Sequence, residues 1–325
     1  MLALDIEVFR RQLVVAVALD VGPGERFALF GPSGAGKTTV LETVAGLVEP
    51  SRGSVVLDGR VLWSERGPRV PYWDREVALV RQDPAVFPHL SVRDNLVYTG
   101  SRADRSALER LVAALDLGSL LDARPSSLSG GQARRVALAR ALAAPYRAVL
   151  LDEPYTGLDA TLRRTVTGLV ADEASARGAP VVLVSHELAE SQAFADRVGV
   201  IDGGRLLQVA APREVVLRPA SRRVAELVGY RGFVPHAGGI LGIHPERVRL
   251  GSQAAAGVVL SGTVTGCRPA GAGFEVDVAV GRAELTCRLD REPGVPGSEV
   301  ELTAVDPPTF GPDGRLIVRT AVPRP

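Results

Sequence analysis

The residues Gly31-Pro32-Ser33-Gly34-Ala35-Gly36-Lys37-Thr38 fit the spacing G-x-x-x-x-G-K-[ST], which suits a loop wrapped around a polyphosphate. Glycines let backbone N–H groups turn inward on anionic oxygens, and a helix starting there adds its dipole. Lys37 is placed to contact the outer phosphates, and the Thr38 hydroxyl to ligate Mg2+. Of 38 basic residues in the chain, Lys37 is the single lysine. A planar guanidinium fork cannot replace a compact ammonium, so this position reads as one that needs a point charge. Two further clusters carry related chemistry. Ala148-Val149-Leu150-Leu151-Asp152-Glu153 is an apolar run ending in two carboxylates. Asp152 suits Mg2+, and Glu153 suits taking a proton from an attacking water; such a pair also caps helices or ends solvated turns. Leu128-Ser129-Gly130-Gly131-Gln132 precedes a helical pattern through Arg134, Val136, Leu138 and Leu142. It offers free N–H groups and a serine hydroxyl to a second anion, or simply an N-cap, or both.

These clusters need strands and helices to hold them. Phe27 to Phe30, Val77 to Val80, Ala148 to Leu151, Val181 to Val184 and Val198 to Ile201 read as strands. Several are continuous apolar runs, as in a parallel sheet buried on both faces. Helices are expected to begin at Lys37, Ala107, Gly131, Leu162 and Glu187. The phosphate loop thus falls between a strand and a helix, the setting its chemistry requires. Beyond about residue 231 the texture changes to Gly and Pro punctuation with period-two runs such as Phe274-Glu275-Val276-Asp277-Val278 and Glu299-Val300-Glu301-Leu302. The expected fold is an α/β P-loop unit with a helical subdomain over residues 1–230, then an all-β, barrel-like unit over residues 231–325, with the boundary near Gly229 to Pro235.

A chain of 325 residues accommodates two such units, and 46% hydrophobic residues supply their cores. Net charge is +1 with both signs spread along the chain, which gives no basic stripe for nucleic acid. Apolar runs such as Leu13 to Leu19 fall short of the ~20 residues of a bilayer span, and the Met1 end lacks a signal pattern. The protein is therefore expected to be soluble and cytosolic. Cys267 and Cys287 make neither a disulfide framework nor a metal spacing.

The pentad Leu128-Ser129-Gly130-Gly131-Gln132 resembles the signature of the ABC ATPases, and the resemblance extends over roughly residues 1–230. It implies that Gln82, in Val80-Arg81-Gln82-Asp83, links Mg2+ and the attacking water to membrane subunits. It implies that Asp159, in Gly157-Leu158-Asp159, acts across a dimer, and that His186, in Val184-Ser185-His186-Glu187, contacts the γ-phosphate. ATP would lie on residues 31 to 38 and Thr39 of one chain, and on Ser129, Gly130, Gly131, Gln132 and Asp159 of a second chain paired head to tail. Phe9 is the candidate to stack on adenine, or else the inward residue of the first strand. Two positions depart from the family pattern: the D-loop reads Tyr155-Thr156-Gly157-Leu158-Asp159, and Arg81 stands where an apolar or aromatic residue is common.

The resemblance further implies a peripheral ATPase on the cytoplasmic face of the membrane, with ATP and Mg2+ as cofactors. Its partners would be a second copy, integral membrane permease subunits and, indirectly, an extracytoplasmic substrate-binding protein. The short interval between Lys37 and Ser129 leaves no room for the long coiled coil of chromosome-maintenance relatives. The segment from Asp83 to Leu96 resembles importers of oxyanions, ferric iron, polyamines and sugars. The stretch from Gly242-Ile243-His244-Pro245-Glu246 through Gly262-Thr263-Val264 to Leu302 resembles their small TOBE barrel. Molybdate or a related oxyanion is the expected cargo, with ferric iron, sulfate, polyamine or sugar as alternatives. A soluble ABC ATPase with no transport role is the different-class alternative.

Overall fold

The structure, a computed structural model, describes residues 1–10, 12–98, 105–252 and 257–317. They form two compact units, Met1–Pro212 and Arg213–Pro325. The first is built on one ten-stranded sheet. In chain order its strands are β1 (Leu2–Arg10), β2 (Leu13–Val21), β3 (Arg26–Phe30), β4 (Arg52–Leu57), β5 (Arg60–Ser64), β6 (Val77–Val80), β7 (Ala148–Asp152), β8 (Val181–Ser185), β9 (Arg197–Asp202) and β10 (Arg205–Ala210). Their spatial order is β5-β4-β1-β2-β10-β9-β3-β8-β7-β6.

The strands expected from apolar runs are β3, β6, β7, β8 and β9, and these pair in parallel. Every residue of β7 and β8 is buried, which is why both read as unbroken apolar segments. The sheet continues into the antiparallel strands β2, β1, β4 and β5. In β1 Leu2, Leu4, Ile6 and Val8 point into the core, and the residues between them are less buried. That period-two signal was present, but long apolar runs are the louder feature of this sequence.

The helices of this unit are α1 (Lys37–Ala45), α2 (Val92–Leu96), α3 (Arg105–Ala114), α4 (Gly130–Ala143), α5 (Ala160–Arg177) and α6 (Leu188–Phe194). Helix α1 sets Val40, Leu41 and Val44 into the core under the sheet. Helix α4 packs on α2 and α3, forming the helical subdomain. Among the described residues, no helix is long and apolar enough to cross a membrane.

The second unit carries α7 (Pro212–Leu217), whose first residue belongs to the first unit, and α8 (Arg222–Leu227). Its strands are β11 (Phe233–His236), β12 (Gly239–Gly242), β13 (Val248–Leu250), β14 (Val258–Ala270), β15 (Gly273–Val280), β16 (Ala283–Leu289), β17 (Glu299–Ala304) and β18 (Thr309–Phe310). They form two antiparallel sheets, β11-β12-β18 and β13-β17-β14-β15-β16, as the barrel-like expectation requires. One apolar core joins Val234 and Leu241 of the smaller sheet to Val264, Val276 and Leu302 of the larger. Cys267 and Cys287 both neighbour Val276 from opposite sides of β15, so they stay apart and free.

Residues 213–230, which lie between the expected end of the α/β unit and the β-rich part, group with the second unit, and backbone bonds join them to it. Arg222 N donates to Gly314 O at 2.7 Å, and Leu316 N to Ala220 O at 3.1 Å. Helical texture made residues 213–230 look like the end of the α/β unit.

Leu150 is fully buried in β7 between β6 and β8. Leu150→Ala should therefore cost about 2–5 kcal/mol in urea unfolding, because the neighbours cannot collapse into the void. A loss below about 1 kcal/mol would show that this sheet centre is not closely packed.

Candidate functional site

The phosphate loop leaves β3 and enters α1 at a place only glycine permits. A Cβ on Gly31 would lie 2.1 Å from the Ile201 carbonyl oxygen of β9. Gly34 and Gly36 sit at φ 80° and 102°, in the left-handed region open to glycine. The loop curls so that the Lys37 ammonium, 6% exposed, donates to Gly31 O at 2.8 Å and to Pro32 O at 2.9 Å. An ammonium has three donors, so one remains for a ligand. Burial lowers the Lys37 pKa, against the pull of Glu153 and Asp152. Ala35 is buried, and its N–H donates to Pro32 O, which closes the turn.

Asp152 ends β7 with 6% exposure, and the Thr38 hydroxyl donates to its Oδ1 at 3.2 Å. Burial raises the Asp152 pKa, and the Thr38 bond opposes this. A hydroxyl and a carboxylate side by side are the hard oxygen donors that Mg2+ takes. Among the described residues there is no group of three or more His, Cys, Asp or Glu that could hold a metal alone. A cation here would need phosphate oxygens to complete its shell, as Mg2+ in phosphoryl-transfer sites does.

Glu153 stands just past β7 at φ 48°, a left-handed conformation that costs a non-glycine residue about 1–3 kcal/mol. Its N–H donates to Val184 O at 3.0 Å, which holds it against the end of β8. Its carboxylate takes Gln82 Nε2 at 3.2 Å on one oxygen and meets His186 Nδ1 at 3.0 Å on the other. The three expected catalytic residues are thus one hydrogen-bonded chain. They line an open cleft of about 1000 Å3 together with Phe9, Ser33, Gly34, Gly36, Lys37, Thr38 and Thr39. Phe9, at the end of β1, is 61% exposed, so it is not an inward strand residue.

Arg10 and Leu13 also line the cleft and were not foreseen. Their place beside Phe9 at the hairpin joining β1 and β2 was the available signal. Arg134 was missed too: it donates to the carbonyls of Gln82 and Thr156 from inside α4. The departure at Arg81 becomes a surface ion pair with Glu42 of α1 at 3.5 Å.

The segment expected to take a second anion lies elsewhere. Ser129 caps α4, taking Gln132 N on its hydroxyl at 3.3 Å, and Gln132 Oε1 accepts Ser129 N at 2.8 Å. This is a closed capping box, with Gly130 and Gly131 in the first turn. Asp159 caps α5, accepting Thr161 N and Leu162 N at 2.9 Å, and those bonds hold its carboxyl below the usual range. Among the described residues, none of Ser129, Gly130, Gly131, Gln132 and Asp159 lines the cleft that holds Lys37. Within one chain, both segments act as caps.

A phosphate loop at the mouth of a parallel sheet, faced by a strand-end carboxylate pair, defines a P-loop nucleotide-binding unit. The family model for ABC transporters matches residues 14–156. The glucose import ATP-binding protein GlcV of Saccharolobus solfataricus is 37% identical over 273 residues, which cover 75% of this chain and 77% of that protein. The chain belongs to the ABC transporter ATP-binding family. The Fe(3+) ions import ATP-binding protein FbpC of Mesorhizobium japonicum is 44% identical over 227 residues, covering 68% of this chain and 62% of that relative. The chain thus matches about three-fifths of the iron relative's length. A solved ATP-binding subunit of an ABC transporter shares 25% identity at a TM-score of 0.59, covering 70% of this chain and 95% of that one.

The lone lysine makes the site chemically addressable. Lys37 and the α-amine are the only primary amines, and burial depresses the Lys37 pKa toward the range in which an acylating reagent finds free amine. Saturating Mg-ATP should block acylation of the Lys37 peptide, read by mass spectrometry, and leave the α-amine unchanged. Labelling of Lys37 that ignores nucleotide would place this amine outside the phosphate site.

Proposed function

We propose that this chain is the ATP-hydrolysing subunit that powers an ABC importer, working as a homodimer at the cytoplasmic face of the membrane against permease subunits. The observation that supports it most is the split of the site. The cleft gathers the phosphate loop, Gln82, Glu153 and His186, and the capped α4 start that could bind a second anion lies outside it. A two-fold axis brings the Ser129 segment of one chain opposite Lys37 of the other and completes two equivalent sites.

In that assembly the residue 31–39 loop binds the phosphates and Phe9 stacks on adenine. Thr38, Asp152 and Gln82 hold Mg2+, which would neutralise phosphate charge when bound. Glu153 accepts the proton of the attacking water, and His186 contacts the γ-phosphate. Gly130, Gly131 and Ser129 of the second chain donate to the same phosphate, and Asp159 reaches across the interface. Such donors can decide the rate, because phosphoryl transfer depends on positioning and charge stabilisation. The all-β unit is proposed as a TOBE-like accessory domain. For cargo, the likeness to the iron import protein supports ferric iron ahead of the oxyanion expected from the compact region between Gln82 and Ser129, and cargo choice rests with a separate binding protein and permease.

The test is complementation. Lys37→Ala and Ser129→Arg chains, each inactive alone, should regain ATPase activity when mixed, because a mixed dimer holds one intact site. If mixed dimers form, shown by differential tags, and stay inactive, the site belongs to a single chain and the proposal fails.

A further inference from the structure

Arg134 lies in the second turn of α4, two residues beyond Gln132. Its Nη2 donates to the Gln82 carbonyl at 2.6 Å, and its Nη1 to the Thr156 carbonyl. Those carbonyls belong to the two backbone segments that carry Gln82 and Glu153. Thr156 N donates back to Glu153 O at 3.4 Å, closing the turn in which Glu153 holds its left-handed φ.

We propose that Arg134 is a positioning residue for hydrolysis, whose guanidinium sets the spacing at which Gln82 Nε2 meets Glu153 Oε2. A planar fork fixes two acceptors at a set separation, which a single ammonium cannot do. The neighbouring Arg135 does different work, donating to Leu115 O at 2.6 Å within the helical subdomain. The Arg134 Nε–H is buried with no partner among the described residues. What the position secures is the pair of carbonyls. Since α4 starts at the Ser129 cap, the same side chain joins the segment proposed to meet the partner's nucleotide to the segment that carries the proton acceptor. Displacement of α4 therefore moves Gln82 and Glu153 together.

The inference rests on the reading of Glu153 as proton acceptor, and the experiment separates the two. In the full chain, Arg134→Met should lower kcat about 10- to 100-fold through misplacement of the base. It should leave the nucleotide Kd within about twofold, because no atom of the Lys37 loop loses a contact. Arg134→Lys should recover part of kcat, since its ammonium can reach one carbonyl; it also carries the test if the Met variant unfolds. Unchanged kcat in both variants, or a loss of kcat matched by loss of nucleotide affinity, overturns the proposal. Glu153→Gln run alongside should be inactive. If it hydrolyses at the wild-type rate, the base assignment and this inference fall together, whereas an inactive Glu153→Gln beside an unimpaired Arg134→Met refutes the positioning role alone.

Discussion

The buried ammonium of Lys37 is the interaction on which the first unit depends. Removing a charge from water is costly, and here two backbone carbonyls of the loop itself, Gly31 O and Pro32 O, meet it. That arrangement demands left-handed glycines at 34 and 36 and a missing side chain at 31, where β9 comes within contact. It also demands that α1 start where it does. The far end of α1 is fastened by another buried cation: Arg75, 3% exposed, donates to Thr43 O at 2.8 Å and Val44 O at 2.9 Å. Gly46 leaves room for that guanidinium, which a Cβ there would approach to 2.5 Å. Helix α1 is thus anchored at both ends, and β3 is clamped between β8 and β9.

From that anchor the remaining chemistry follows by register. Strands β3, β7 and β8 run parallel, so their carboxyl ends deliver the phosphate loop, the Asp152–Glu153 pair and His186 to one edge of the sheet. Crevices at the carboxyl ends of open parallel sheets are where such folds bind ligands. The strain in Glu153 belongs to the same design: its backbone turns abruptly after β7 so that the carboxylate faces Gln82 and His186 rather than solvent.

The sequence made legible what is either apolar without interruption or rich in chemistry. The five parallel strands and the starts of α1, α3, α4, α5 and α6 fall within a residue or two of expectation, because burial on both faces writes itself as long apolar runs. The antiparallel strands β1, β2, β4 and β5 alternate between core and solvent and are quieter. Phe9 remained ambiguous because period two cannot tell the end of a strand from its middle. Arg134 was invisible for a different reason: it acts on backbone carbonyls, which every residue owns, so its partners Gln82 O and Thr156 O leave no mark in the sequence. Residues 213–230 read as the tail of the α/β unit because they are helical, yet Arg222 N and Ala220 O bond to backbone beyond β18.

The central claim is that a complete site exists only between two chains. If, as proposed, the Ser129 cap and Lys37 serve a shared nucleotide, closure should be driven by ATP and undone by hydrolysis. Sedimentation of the Glu153→Gln chain, with and without Mg-ATP, reads this directly. The account predicts a species with the mass of two chains that appears with Mg-ATP and disappears with Mg-ADP. A single-chain mass under both conditions, with nucleotide shown to be bound, would contradict it.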